Sequence, residues 1–258
     1  MERMVPFMED ETYHVFNRGA HKNPIFLEER DFQRFQVLLL LANSTERIDA
    51  GNVLNKYQGR SLVKLFEEEG SDERIVDILA YSLLPNHFHL ILRQRMPEGI
   101  SKFMRKLCTG YSMYFNLKYG HSGTLYQGRF KSSHVDTDAH FNWLFAYVHL
   151  NPLSLAMPEW KVHGIEDVEV AQHFLDGYPY SSYFDFYVAS RPERAILAYE
   201  DARHFIDSKN NLIDLAAAAK KDVQYETFEP VEKGVDNDVD RVGEKDVLQK
   251  SAVLQSNS

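Results

Sequence analysis

The chain of 258 residues has an ordinary globular composition, with 44% hydrophobic and 13% aromatic residues, so it can bury one good-sized core beside a tail. Its single cysteine excludes an intramolecular disulfide and a thiolate metal cluster. The longest aliphatic run, residues 37–42, is far too short to span a bilayer, and the first ten residues contain no apolar signal core. These features predict a cytoplasmic chain that makes no use of a membrane.

The net charge of −9 argues at first against a nucleic-acid partner, but the charge is unevenly distributed. Residues 93–134 contain eight basic residues and one acid, a net charge of +7, whereas residues 222–246 contain nine acids and three bases, a net charge of −6. Such asymmetry is typical of a nucleic-acid-binding face beside an acidic tail. Two solvated surfaces of opposite sign would give the same totals, and charge alone does not choose between these interpretations.

The first part of the chain predicts a strand, a helix and then an insertion. Residues 12–17 (TYHVFN) mix aromatic, β-branched and polar side chains as a strand does. Residues 31–41 have the wide apolar face of a helix and begin in an acidic stretch that suits a helix N-terminus. The polar stretch at about 43–73 is predicted to be an excursion from the main fold that contains a short helix over 62–68.

The middle of the chain predicts a hairpin followed by a long helix. Residues 75–84 and 87–92 read as two strands joined by a turn at Pro85-Asn86. Residues 100–118 read as a helix closed by Gly120, and residues 123–135 as a short hairpin or an extended loop. Residues 138–150 read as an amphipathic helix ended by Asn151-Pro152, because a residue before proline avoids helical angles.

The end of the chain predicts a helical extension over 193–220, with helices at 193–208 and 212–220. From residue 221 to residue 258 the chain is acidic and has few large apolar residues, which predicts disorder. The order of strands and helices up to residue 192 indicates an α+β fold, in which helices pack on an antiparallel sheet close to the split βαβ arrangement.

The histidine pair His87 and His89 is the sharpest chemical feature. Residues two apart on a strand point to the same face, so both imidazoles would project together. Two histidines on one strand form half of a site for a divalent metal. Taken alone, a short His-x-His motif is more often a pair of inert, hydrogen-bonded hairpin histidines.

Tyr147 and Asn151 form the second feature, because residues four apart on a helix share a face. A tyrosine can act as a covalent nucleophile when a metal or a base is near, and an asparagine oxygen is a hard ligand that suits magnesium or manganese. The alternative is that Tyr147 packs its ring on the sheet and Asn151 caps the helix.

Basic and aromatic residues occur together between residues 102 and 131, as in proteins that hold single-stranded nucleic acid by its backbone and bases. A solvated helix face followed by a turn is the equally good alternative. The residues are Lys102, Arg105, Lys106, Tyr111, Tyr114, Tyr126, Arg129, Phe130 and Lys131.

Five phrases in a fixed order resemble the bacterial REP-associated tyrosine transposases, relatives of the single-tyrosine insertion-sequence transposases in the HUH endonuclease superfamily. The phrases are YHVFNRG at 13–19, AYSLLPNHFHLIL at 80–92, YQGRFKS at 126–132, AYVHLNPLSLAM at 146–157 and YPYSSY at 178–183. The resemblance extends over about 13–187 and implies a ferredoxin-like catalytic domain within residues 1–192. The insertion at 43–73 and the chain after residue 192 depart from it.

The resemblance implies a role for each matching residue. His87 and His89 correspond to the metal-binding pair, which would hold Mg²⁺ or Mn²⁺, and Tyr147 to the nucleophile. Asn151 corresponds to a third metal ligand, with His149 as the alternative. The implied DNA contacts are Asn17, Arg18, Lys102, Arg105, Lys106, Arg129 and Lys131, although a strand-to-turn junction explains the first two slightly better.

The implied reaction is cleavage of single-stranded DNA at a hairpin or palindromic repeat through a 5′-phosphotyrosine, followed by strand rejoining. Such an enzyme would associate with the nucleoid when bound to DNA, as a monomer or a homodimer. Histidines bind metal only when neutral, so activity is expected to fall below about pH 6. The alternatives are a domesticated hairpin-binding protein that does not cut, and an unrelated metal-dependent hydrolase or RNA-binding domain.

Overall fold

The sheet has four antiparallel strands in the order β2-β3-β1-β4. The computed structural model describes residues 6–46, 51, 62–69, 73–205 and 212. The strands are β1 (Thr12–Arg18), β2 (Val76–Leu84), β3 (His87–Gln94) and β4 (Lys131–Val135). This order is the one a split βαβ chain produces, because the hairpin β2–β3 is inserted beside β1 between two crossover helices. The predicted α+β, ferredoxin-like fold is therefore confirmed.

Helices pack on both faces of the sheet. The four longer or earlier helices are α1 (Glu29–Leu41), α2 (Leu62–Glu68), α3 (Gly99–Tyr119) and α4 (Asp138–Leu150). Short helices follow at α5 (Trp160–His163), α6 (Val168–Asp176), α7 (Tyr183–Tyr187) and α8 (Tyr199–Ala202). Single 3₁₀ turns lie at Ala20–Lys22, Asn151–Leu155, Pro192–Ile196 and Arg203–Phe205. No helix in the described part of the chain is long and apolar enough to cross a bilayer.

Strand alternation divides the interior into two cores. Phe88 and Leu90 of β3 face the first core, which α1 and α3 cover from one side. Ile91 faces the second core, which α4 covers from the other side. His87 and His89 have the same parity as Ile91 and therefore lie on the α4 side of the sheet. His87 and His89 thus lie on the opposite face of the sheet from the one that the long helix α3 covers.

The phrase YPYSSY closes the outer edge of β2. Leu83 donates its backbone N–H to Tyr180, and Ser182 donates its own to Tyr81. Ser181 forms an isolated bridge with Ser82. An open strand edge can pair with other chains. The segment at 178–183 covers this edge and joins the chain near residue 182 to β2.

Several predicted elements differ from the structure. Residues 123–135 do not form a hairpin of their own, since β4 pairs with β1. In place of the helix expected over 193–208, the described residues up to 205 form two 3₁₀ turns and the four-residue helix α8. The helices α5–α7 were not predicted, because helices of four to nine residues leave little periodicity. The described chain over 193–205 packs on the sheet, with Ala198 donating its backbone N–H to Ile78. The predicted helix at 212–220, except residue 212, and the tail at 221–258 lie outside the described residues.

Candidate active site

The two histidines of the site lie at the start of β3, directly after the turn at Pro85-Asn86. Their ring centroids are 5.1 Å apart. His87 Nδ1 contacts Asn86 Oδ1 at 2.6 Å and His89 Nδ1 contacts His14 Nε2 at 2.9 Å. The Nε2 atoms of His87 and His89 are buried and have no hydrogen-bond partner among the residues that the structure describes. Each ring thus keeps one nitrogen available for a ligand.

Burial keeps these imidazoles neutral. Burial, together with the positive charges of Lys161 and Arg18, lowers the pKa of His87 to about 3. The pKa of His89 is lowered well below its ordinary value, mainly by burial. For ordinary histidines, the expected acid limit of activity is about pH 6. In these buried rings the neutral form, which is the form that would bind a metal, persists at lower pH. The expected limit therefore lies at a more acidic pH.

Tyr147 of α4 lies beside the histidine pair, on the same side of the sheet. Its ring meets the His89 ring edge-on, with centroids 5.7 Å apart and planes at 90°. Trp143, one helical turn earlier, stacks on the Tyr147 ring, with centroids 5.3 Å apart. Tyr147 is 8% exposed. A rigid helix and a rigid strand therefore bring the predicted nucleophile and the predicted metal ligands together.

Asn151 shares the face of α4 that carries Tyr147, despite Pro152. Its backbone remains helical (φ −57°, ψ −36°), because α4 continues directly into a 3₁₀ turn. The predicted end of the α-helix before Asn151-Pro152 is confirmed, since α4 ends at Leu150, but the expected loss of helical angles at Asn151 is wrong. Asn151 Oδ1 accepts a hydrogen bond from Lys161 Nζ at 3.3 Å.

Lys161 is a site residue that the sequence analysis missed. Its Nζ lies 3.4 Å from Tyr147 Oη and 5.1 Å from the centroid of the Tyr147 ring. Lys161 belongs to the four-residue helix α5, ten residues after Asn151, and no motif marks it. The structure places one ammonium group against both the phenol and the amide oxygen of the candidate site.

His149, the alternative third ligand, lies elsewhere. Its Nε2 contacts Ser182 Oγ at 2.7 Å, and its ring packs edge-on against Phe145 and Phe186. The side chain is fully buried in the second core. His149 therefore fastens α4 to the segment along β2.

We expect the substitution His149→Gln to flatten the pH dependence of folding stability. Burial lowers the pKa of His149 to about 3, so the unfolded chain binds this proton at a higher pH than the folded chain. Stability is full above about pH 6.5 and is lost as the pH falls toward about 3. Between pH 7 and pH 5.5 the loss is roughly 1 kcal/mol for this one histidine.

Urea denaturation of wild type and of the His149→Gln variant at both pH values measures this effect. The fall in the free energy of unfolding should be smaller in the variant by about that amount, whatever the variant's stability at pH 7. An equal fall in both proteins would contradict a neutral, buried His149.

The predicted DNA-contact residues lie in two places: some at or near β1 and β4, and three on α3. Arg18 lies opposite His87 in the β1–β3 pairing, and Lys131 lies opposite Phe16 in the β1–β4 pairing. Phe16 is in turn opposite His89, so Arg18 and Lys131 border the histidine face. Asn17 is buried and donates to Gly128 at 3.2 Å, which joins the end of β1 to the loop that precedes Arg129.

The three basic residues predicted on α3 lie on the other side of the sheet, because α3 covers the first core. Lys102 donates to the Pro97 carbonyl, and Lys106 donates to the carbonyls of Ser44 and Glu46. Arg105 lines a surface groove of about 1100 Å³ between α1 and α3. Of the predicted DNA contacts, Arg18 and Lys131 are the two that the strand pairing places beside the candidate site.

The side chains at this site offer donor atoms for a divalent cation. Two buried imidazole nitrogens are available, and the amide oxygen of Asn151 lies on the facing helix. In the described part of the chain, no three His, Cys, Asp or Glu side chains are grouped as a metal site. The donor set of two nitrogens and one oxygen leaves positions for water and phosphate oxygens, which Mg²⁺ and Mn²⁺ prefer.

Residues 50–151 match the sequence model of a protein family described as "Transposase IS200 like". The matched part is 102 of the 258 residues and contains His87, His89, Tyr147 and Asn151. It confirms the resemblance to insertion-sequence transposases over this part of the chain. No curated protein matches the chain.

Among solved structures, one match is described as "Structure of the REP associates tyrosine transposase bound to a REP hairpin". The identity to that chain is 14% and the TM-score is 0.44. The alignment covers 72% of this chain and 84% of that chain.

Proposed function

We propose that this chain, which resembles the IS200-like transposases over its central part, is a metal-dependent single-strand DNA endonuclease and strand transferase with Tyr147 as its nucleophile. One observation carries the proposal. The Tyr147 ring lies edge-on to His89, with centroids 5.7 Å apart, and its hydroxyl lies 3.4 Å from the Lys161 ammonium. A purely structural tyrosine needs neither a cation at its hydroxyl nor two available imidazole nitrogens beside it.

The reaction is a displacement at phosphorus. Tyr147 Oη forms a bond to the scissile phosphorus while the bond from phosphorus to the 3′ oxygen breaks. The phenol loses its proton and the departing 3′ oxygen gains one, which leaves a 5′-phosphotyrosine and a free 3′-hydroxyl. Attack by another 3′-hydroxyl reverses the step and rejoins DNA, because the covalent link conserves the phosphodiester bond.

His87, His89 and Asn151 are the residues that would hold the cation. Bound Mg²⁺ or Mn²⁺ supplies a Lewis acid for a phosphate oxygen. Trp143 holds the Tyr147 ring by stacking, and the stiffness of β3 and α4 fixes the distance between nucleophile and ligands. Arg18 and Lys131, which border this face, are the nearest candidates to bind the DNA backbone.

The substrate that the sequence phrases imply is a DNA hairpin of the repeated palindromic kind with an adjacent unpaired tetranucleotide. The test uses a labelled single-stranded oligonucleotide carrying the palindrome nearest the gene, incubated with the full chain and Mn²⁺. We expect a protein–DNA band that resists denaturation and disappears when a chelator is added beforehand. A scrambled oligonucleotide of the same composition serves as the control.

Tight hairpin binding without any covalent band would overturn the cleavage proposal and support the domesticated, non-cutting alternative. A covalent band of equal intensity in the presence of the chelator would overturn the metal requirement alone.

We expect the substitution Lys161→Met to slow formation of the covalent band by about 100-fold, the effect typical of losing one group that stabilises charge at a reacting centre. The ammonium favours the negative charge that develops on Tyr147 Oη, whereas methionine retains only the length and packing of the side chain. The measurement is the initial rate of band formation at saturating DNA.

Lys161→Arg is the matched control, because it keeps the positive charge, and it should retain more activity than the methionine variant. Hairpin affinity should change by less than a few fold in both. An unchanged rate in Lys161→Met would show that the ammonium does not act on the reacting atom.

A further inference from the structure

The two candidate ligands need a defined tautomer, since a neutral imidazole binds a metal only through the nitrogen that carries no proton. In both His87 and His89 the nitrogen with an available lone pair must be Nε2, because Nδ1 is already engaged within the protein. The partner of each Nδ1 therefore decides whether the ring can act as a ligand.

Asn86 fixes the tautomer of His87. Its Oδ1 lies 2.6 Å from His87 Nδ1, and a carbonyl oxygen only accepts, so Nδ1 carries the proton. The orientation of the amide is set independently, since Asn86 Nδ2 donates to the Lys22 carbonyl at 3.1 Å.

The turn after β1 holds Asn86 itself. The backbone N–H of Gly19 donates to the Asn86 carbonyl at 2.8 Å. A Cβ at Gly19 would lie 2.0 Å from the Asn23 carbonyl oxygen, so only glycine permits this turn. The sequence phrase that ends β1 thus reaches the metal site through Asn86.

His14 takes the equivalent place beside His89. It lies on β1 and is 8% exposed; its Nε2 is 2.9 Å from His89 Nδ1 and its ring is within 14° of parallel to the His89 ring. A neutral pair shares one proton across this contact. Only the arrangement in which His89 donates and His14 accepts leaves the lone pair of His89 on Nε2.

We propose that Asn86 and His14 are positioning residues that hold His87 and His89 in the Nδ1-protonated tautomer, so that both Nε2 atoms act on one divalent cation. The proposal rests on the proposed function in that it takes His87 and His89 as the metal ligands. Groups that accept a proton from a ligating histidine fix both the orientation of the ring and its basicity, and losing one typically weakens metal binding by about 10-fold to 100-fold.

The first experiment reads the tautomers directly, without metal or DNA. Long-range ¹H–¹⁵N correlation spectra of the imidazoles in the full wild-type chain should show a protonated Nδ1 and an unprotonated Nε2 for His87 and for His89. A protonated Nε2 in either ring of the wild-type protein would overturn the proposal for that ring. This result does not depend on whether the protein cuts DNA.

The second experiment measures Mn²⁺ affinity by titration followed by electron paramagnetic resonance, without DNA. His14→Phe keeps a flat ring but removes the acceptor, whereas His14→Gln keeps an acceptor; Asn86→Ala and Asn86→Asp form the matching pair. We expect about 10-fold to 100-fold weaker binding in His14→Phe and Asn86→Ala, and near wild-type binding in the two conservative variants. Thermal unfolding of each variant verifies that it is folded.

His89→Ala separates the two levels of the argument. If wild type binds Mn²⁺ and His89→Ala does not, while His14→Phe and Asn86→Ala bind like wild type, the positioning proposal is overturned and the metal site stands. If wild type and His89→Ala bind Mn²⁺ equally, the metal site proposed for these histidines is overturned together with its positioning residues.

Discussion

The Tyr147→Phe variant should form no covalent protein–DNA band, a loss of at least about 1000-fold that follows from removing the nucleophilic oxygen itself. The substitution removes one atom from a ring that stacks on Trp143 and meets His89 edge-on. Both ring contacts survive the change, and the Lys161 ammonium keeps its contact with Asn151. The fold, the Mn²⁺ affinity and the hairpin affinity should therefore remain close to those of wild type.

The matched control is Tyr199→Phe, because Tyr199 stacks on Phe186 and packs against the first core. This variant should form the covalent band at the wild-type rate. Strand nicking that continues in Tyr147→Phe without a covalent band would replace the covalent mechanism by attack of a water molecule. A covalent band that persists would assign the nucleophile to another residue.

The Arg191→Met variant should lose about 3–5 kcal/mol of folding stability, the range seen when one partner of a buried ion pair is removed. The guanidinium of Arg191 is 13% exposed and binds both carboxylate oxygens of Asp185, which is 0% exposed. It also donates to Tyr81 Oη and to the carbonyls of Pro179 and Ser181. Methionine leaves the buried carboxylate without a counter-charge.

Chemical denaturation measures the loss, with Arg203→Met as the control, since Arg203 forms an exposed ion pair with Glu200. That control should change stability by less than about 1 kcal/mol. The double variant Asp185→Leu with Arg191→Met should recover a large part of the loss, because replacing both partners leaves no buried charge. A single variant as stable as wild type would contradict a structural role for this pair.

The residues of the candidate site that could be predicted from the sequence are those whose relative positions depend on local geometry alone. Strand alternation puts His87 and His89 on one face, and helical periodicity puts Tyr147 and Asn151 on one face, without knowledge of the rest of the fold. That the histidine pair and the Tyr147–Asn151 pair face each other depends on the order of strands in the sheet. Only the resemblance to the transposase family implied that order. The fold class followed from the order of the elements.

The two site residues that the sequence did not predict, His14 and Lys161, owe their positions to strand register and to irregular structure. His14 shares a strand with a predicted DNA contact, but its place beside His89 follows from the β1–β3 register, which the sequence does not encode locally. Lys161 arrives on a four-residue helix after a 3₁₀ turn. The position of the α3 charges, on the other side of the sheet from the histidines, could not be predicted for a related reason, since counting charges along the chain does not show which side of the sheet a helix covers.

The described part of the insertion over 43–73 packs on the first-core side of the sheet, opposite the histidine pair. Leu65 and Phe66 of α2 pack in the first core, and Ser44 accepts from Lys106 of α3. A connection that leaves and re-enters the fold on that side can change in length without moving Tyr147 relative to His89. For an engineer, this is the place to fuse a fluorescent protein or an affinity handle, which would report on the protein while leaving the face that carries Tyr147 and His89 unobstructed.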